Sequence, residues 1–132
     1  MRFKILLFLS VQFCYTYLSI AQTQLSLVEN IDHVLLQEKT NKGAQLVDVR
    51  TNKEFSRGYI AGAKLINISS DYFVERIDQL DKTKPIILYC AVGVRSTAAI
   101  EMIRNLGFPI IYNYIGGIRD WKRNKLSLVK PD

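Results

Sequence analysis

Cys90 and Arg95 bracket the four residues Ala91-Val92-Gly93-Val94, and Ser96 follows directly. The run before them, Ile86-Ile87-Leu88-Tyr89, is apolar, short and introduced by Pro85, as expected of a buried parallel strand. The stretch after them, from about Ser96 to Leu106, has helical spacing and is stopped by Gly107 with Pro109 beyond. The cysteine therefore sits where a strand gives way to a helix, the edge at which open α/β sheets bind ligands. Gly93 lets the backbone curl there, and the first amides of a helix have no partners within it, so together they make an anion cradle. A thiol held in such a cradle, with Arg95 beside it, is expected to ionise below the free value of about 8.5, toward the range of about 3.5 to 7.5 of activated cysteines. An inert packed cysteine has no use for a glycine and an arginine at these offsets. Cys90 and Arg95 are the candidate catalytic residues, and Ala91, Val92, Gly93, Val94 and Ser96 form the candidate substrate-binding loop.

Composition narrows the chemistry further. With 132 residues, 48% of them hydrophobic and 23% charged, the chain has the proportions of an ordinary packed domain. Two cysteines are too few for a disulfide framework or a four-thiolate zinc site. His33, the one histidine, would have to serve any serine triad, and it lies far from Cys90 in the chain. No metal and no cofactor are expected. A cysteine phosphatase or arsenate reductase uses the same cradled thiolate but needs five residues between cysteine and arginine, where this chain has four. The shorter ring is tight for a tetrahedral oxyanion, and the loop holds no carboxylate to protonate a leaving oxygen.

The elements that must position this loop can be read from spacing. Ser26-Leu27-Val28-Glu29 has capping-box spacing with Leu25 as a staple, and Val28, Ile31 and Leu35 continue at helical intervals, which predicts a helix of about three turns ending near Asn41-Lys42-Gly43. Strands are expected at Gln45 to Val49, Leu65 to Ile68, Ile86 to Tyr89 and Ile110 to Tyr112. A helix beginning at Ser70 places Phe73, Ile77 and Leu80 on one face, and Gly116-Gly117 opens a short last helix around Trp121. The alternation implies one α/β domain with a mostly parallel central sheet and helices on both faces. Trp121 and the tyrosines read as core or rim packing, and His33 as a surface side chain.

Three ordered motifs then resemble a family. Leu46-Val47-Asp48-Val49-Arg50 with Glu54-Phe55, Gly58-Tyr59-Ile60-Ala61-Gly62-Ala63 and Asn67-Ile68 is similar to the N-terminal signature of rhodanese-like domains. Tyr89-Cys90 through Arg95-Ser96 is similar to their active-site loop, and Tyr112-Asn113, Gly116-Gly117-Ile118 and Trp121 to their C-terminal signature. The resemblance spans residues 44 to 123. It implies a sulfurtransferase whose cysteine carries a persulfide between a small sulfur-containing donor and a thiol acceptor, and a structural role for Asp48, Arg50 and Glu54 in tying the first strand to the following turn and helix. The alternative is a non-catalytic binding or sulfur-carrier module on the same fold. Tyr59 and Ala61 stand where the family often has His and Pro, outside the loop. Rhodaneses specialised for thiosulfate often carry a further basic residue in the loop, whereas Ala91, Val92 and Val94 are uncharged, so persulfides or polysulfides are the expected donors.

Arg2 and Lys4 precede an uncharged, mostly apolar run, Ile5 to Ile20, and Ser19-Ile20-Ala21 suits signal-peptide cleavage. Residues 1–21 are thus expected to be a cleaved signal peptide and 22–132 the rhodanese-like domain, exported to a periplasmic or extracellular setting without stable membrane insertion. An uncleaved membrane anchor is the alternative. The 18 Lys plus Arg outnumber the 12 Asp plus Glu, with a small cluster at Arg119, Lys122, Arg123 and Lys125. The cluster reads as a solvated face with a weak bias toward anionic small molecules, and no platform for nucleic acid is present. Oligomeric state is not legible.

Overall fold

In the computed structural model, which describes residues 25–131, five strands form one sheet: β1 Leu27–Ile31, β2 Gln45–Asp48, β3 Lys64–Leu65, β4 Ile86–Tyr89 and β5 Ile110–Tyr114. Their spatial order is β1-β5-β4-β2-β3, and every neighbouring pair is parallel. Five helices are described: α1 His33–Asn41, α2 Asn52–Phe55, α3 Phe73–Asp78, α4 Val94–Ile103 and α5 Gly117–Arg123. Parallel strands require crossovers, and the helices that supply them bury both sheet faces, which is why β4 is apolar at every position and wholly buried.

The alternation of side chains along β4 divides the core in two. Ile86, Leu88 and Cys90 join Phe73 and Ile77 of α3 and Ala99, Ile100 and Ile103 of α4 on one face. Ile87 and Tyr89 join Leu36 of α1, Ile118 and Trp121 of α5, and Tyr112 and Tyr114 of β5 on the other. Because all strands run the same way, the ends of β2 and β4, and the loops that follow them, open on a single edge of the sheet. Cys90 is the residue after β4, on that edge.

The N-terminal expectation needs correction. Ser26 to Ile31 is not the start of a helix: Leu27–Ile31 is a strand paired with Ile110 to Tyr114, and the helix begins at His33. Its cap is Asp32, whose carboxylate accepts the Leu35 N–H at 2.9 Å. Ser26 Oγ is buried without a hydrogen-bond partner and caps nothing. Pairing with β5, distant in the chain, overrides the local capping pattern. The other differences are in extent. β3 is two residues long, α3 starts at Phe73 rather than Ser70, α4 spans Val94–Ile103, and β5 runs on to Tyr114. His33 is half-buried, its Nδ1 lying 3.7 Å from Asp120. Trp121 is buried and its indole N–H donates to the Ser127 carbonyl at 2.9 Å. The expected signal peptide lies outside the described residues. Among those described, no helix is long and apolar enough to cross a membrane.

Candidate active site

β4 ends at Tyr89, α4 begins at Val94, and the turn between them wraps around the Cys90 sulfur. Gly93 makes this turn possible: its φ of +90° lies in the left-handed region, and a Cβ there would stand 2.3 Å from the Ile115 carbonyl oxygen. With the chain so bent, the Gly93 N–H points at Cys90 Sγ at 3.1 Å, and Ser96 Oγ lies 3.8 Å from the same sulfur. The Gly93 carbonyl, in the next peptide group, is held too. It accepts from Ser96 Oγ at 3.1 Å and from Thr97 Oγ1 at 2.8 Å, and Asn113 of β5 donates to Thr97 Oγ1 at 3.0 Å. The amide is thereby aimed at the sulfur before any substrate arrives.

A second glycine fastens the loop from outside. Gly117, at φ +60°, packs so closely that a Cβ would lie 2.5 Å from the Cys90 carbonyl oxygen and 2.6 Å from that of Ala91. Those carbonyls accept the Ile118 N–H at 2.9 Å and the Arg119 N–H at 3.1 Å. The first amides of α5 thus draw the loop's carbonyls outward and leave its own amides facing in.

Cys90 is 1% exposed. Burial is the largest influence on its thiol and opposes ionisation, but the amides of Ser96, Val92 and Gly93 and the Ser96 hydroxyl together outweigh it, so the thiol ionises below its ordinary value. The cradle supplies this stabilisation. Arg95, expected to bear on the sulfur, has its guanidinium engaged elsewhere: Nη1 and Nη2 donate to Glu54 Oε2 and Oε1, each at 2.7 Å. The pair joins the first turn of α4 to α2. Glu54 is also the third residue of a capping box in which the Thr51 hydroxyl accepts the Glu54 N–H and the Glu54 carboxylate accepts the Thr51 N–H. The Arg95 bonds outweigh partial burial and, with Thr51, hold the Glu54 carboxyl at a pKa of about 2.

Asp48 and Arg50 are a separate, buried unit. Arg50 Nε and Nη2 donate to the Asp48 carboxylate at 2.7 to 3.0 Å, and Nη2 also donates to the Gly58 carbonyl at 2.8 Å. The Tyr89 hydroxyl accepts the Ile60 N–H at 3.1 Å, bringing the 58–63 segment onto β4. Tyr59 stacks on Phe55, ring centroids 3.9 Å apart.

The structure therefore brings Cys90, Gly93 and Ser96 together, makes Glu54 the partner of Arg95, and assigns Asp48 with Arg50 to holding the neighbouring turn. Sequence reasoning missed Glu54 as the partner of Arg95, and it missed Ile115 and Gly117 as the outer wall. The Gly116-Gly117 doublet was a signal for the latter, since adjacent glycines mark close backbone approach.

Comparison with known proteins identifies the family of this fold. The family model for the rhodanese-like domain matches residues 32–124. The uncharacterized protein YqhL of Bacillus subtilis is 38% identical over 96 residues, covering 70% of this chain and 75% of that one. Thiosulfate sulfurtransferase GlpE of Shewanella oneidensis is 31% identical over 87 residues, covering 66% of this chain and 84% of its own. Among solved structures, a rhodanese-related protein of Thermoplasma volcanium superposes with a TM-score of 0.68 at 32% identity, covering 78% of this chain and 99% of that one. With the matched segment running from the cap of α1 through the end of α5, the chain belongs to the rhodanese-like domain family.

Proposed function

We propose that the protein is a sulfurtransferase that carries sulfane sulfur on Cys90. The observation that supports this reading best is the acidified, buried thiol with the Gly93 amide aimed at its sulfur from 3.1 Å. The Cys90 thiolate attacks the outer sulfur of a donor, the donor's S–S bond breaks with its electron pair leaving on the remainder, and Cys90 holds a persulfide that a thiol acceptor then takes. The turn's amides serve whichever sulfur bears the negative charge. Arg95 acts as a positioning residue, with one N–H of each terminal nitrogen holding the Glu54 carboxylate.

Donor preference follows from the same geometry. With Arg95 paired to Glu54 and Ala91, Val92 and Val94 uncharged, the loop's own side chains add no unpaired cation for a dianion. Persulfides and polysulfides should load Cys90 more efficiently than thiosulfate does. The apolar, singly flanked run of residues 5–20 supports action outside the cytoplasm.

Mass spectrometry of the purified protein, before and after a polysulfide or thiosulfate, tests the reading. The parent gains the mass of one sulfur atom at Cys90 and loses it to added thiol. Cys90→Ser does neither. Turnover by Cys90→Ser equal to the parent's overturns the mechanism, and a higher kcat/KM for thiosulfate than for a persulfide overturns the donor preference.

A further inference from the structure

The sulfur is sunk in the loop, yet the side chains around it are apolar and face solvent. Val92 is 40% exposed, Val94 73% and Ile115 48%. They are contiguous: a Cβ on Gly93, the residue between the two valines, would meet Ile115 Cγ1 at 2.9 Å. A small hydrated donor gains nothing from such a collar, whereas exposed contiguous apolar side chains at a reactive group are characteristic of a surface that another macromolecule covers. The charge beside the collar indicates what kind. The Arg119 N–H is bonded to the Ala91 carbonyl, so α5 starts against the active loop, and Lys122 and Arg123 share the Arg119 face of that helix by their spacing. All three are exposed, and among the described residues Arg119 and Lys122 form no ion pair. The acidic residue among them, Asp120, is half-buried and accepts from the Tyr114 hydroxyl at 2.8 Å.

We propose that the acceptor is a protein whose cysteine is presented between apolar side chains with acidic residues on one flank. This rests on the sulfur-transfer reading above. The apolar tip covers Val92, Val94 and Ile115, and the acidic flank lies along Arg119 and Lys122. The acceptor's thiolate attacks the outer sulfur of the Cys90 persulfide. The new S–S bond forms as the Cys90 S–S bond breaks, the electron pair of that bond returns to Cys90 as thiolate, and the outer sulfur leaves on the acceptor carrying the proton that the acceptor thiol gave up. Covering the collar excludes water while the charge moves.

Two short peptides test the surface, each with one cysteine between leucines, one flanked by glutamates and the other by lysines. With sulfur-loaded protein at low salt, the acidic peptide should accept sulfur about tenfold faster than the basic one. The gap should close toward 1 M salt, where the Debye length falls to about 3 Å. Combined Arg119→Glu and Lys122→Glu should reverse the preference. Ile115→Ser should slow the leucine peptide relative to one with glycines beside its cysteine. Equal rates for the two charged peptides, a gap that salt does not change, or a preference that survives the charge reversal overturns the proposal. Failure of sulfur loading would instead strike the sulfur-transfer reading. Docking is then read from binding of the same peptides, fluorescently labelled, to Cys90→Ser protein: tighter binding of the acidic peptide sustains the surface, and equal binding removes it.

Discussion

The lowered pKa of the Cys90 thiol traces to the amides of Ser96, Val92 and Gly93 and the Ser96 hydroxyl working against burial, and this can be tested directly. Alkylation of the parent by iodoacetamide should show a pH midpoint below the ordinary thiol value of about 8.5. Gly93→Ala should raise that midpoint and slow sulfur loading, because a Cβ at 2.3 Å from the Ile115 carbonyl forces the turn open and moves the amide off the sulfur. An unchanged midpoint would mean that another group acidifies the thiol. Glu54 gives a second test through pH. Its pKa of about 2 in the folded protein lies below the ordinary 4.5, so the Arg95 pair stabilises the fold fully above pH 4.5 and loses that contribution as pH falls toward 2. Both side chains are about one-third exposed, which screens the pair and limits its worth to about 1 kcal/mol. Glu54→Gln should therefore lower stability at pH 7 by about that amount and flatten the loss between pH 4.5 and 2 in denaturant titrations. The candidate loop was legible in the sequence because Cys90, Gly93 and Ser96 are neighbours whose interactions depend on one turn. Glu54 of α2, Ile115 after β5 and Gly117 at the start of α5 reach the same place from other parts of the chain, and no local spacing connects them.

At the scale of elements, the N-terminal region shows how a local pattern loses to a distant one. Ser26 and Glu29 satisfy the spacing of a helix cap, yet the segment is a strand and the cap of α1 is Asp32. Asp32→Ala should cost about 1 kcal/mol through loss of the bond to Leu35, whereas Ser26→Ala should be neutral or slightly stabilising, since the buried Ser26 hydroxyl has no partner to lose. Thermal melts of the two variants decide between the two starts. β1 was hard to recognise because it is an edge strand, largely exposed and without strict alternation, and its partner lies at the far end of the chain. β4, α3 and α4 were readable from spacing because their apolar faces are set by burial against the middle of the sheet.

Across the whole molecule, stability should fall outward from β4. Its four residues are buried and paired on both sides, by β2 and β5, so their amides should exchange slowest with deuterium. Those of β3, two residues paired on one side, should exchange fastest among the strands, and comparable protection of β3 and β4 would refute this gradient. The sheet order was not readable from the chain, because alternating elements specify a parallel sheet but not which strand lies beside which. That order has a consequence for biosynthesis. β1, among the earliest described residues made, pairs with β5, while the carbonyls of Cys90 and Ala91 wait for amides of Ile118 and Arg119. During translation Cys90 consequently emerges from the ribosome as an ordinary thiol. The lowering of its pKa comes late, when the residues that clamp its loop have followed it out, so a nascent chain lacks the acidity of the folded thiol.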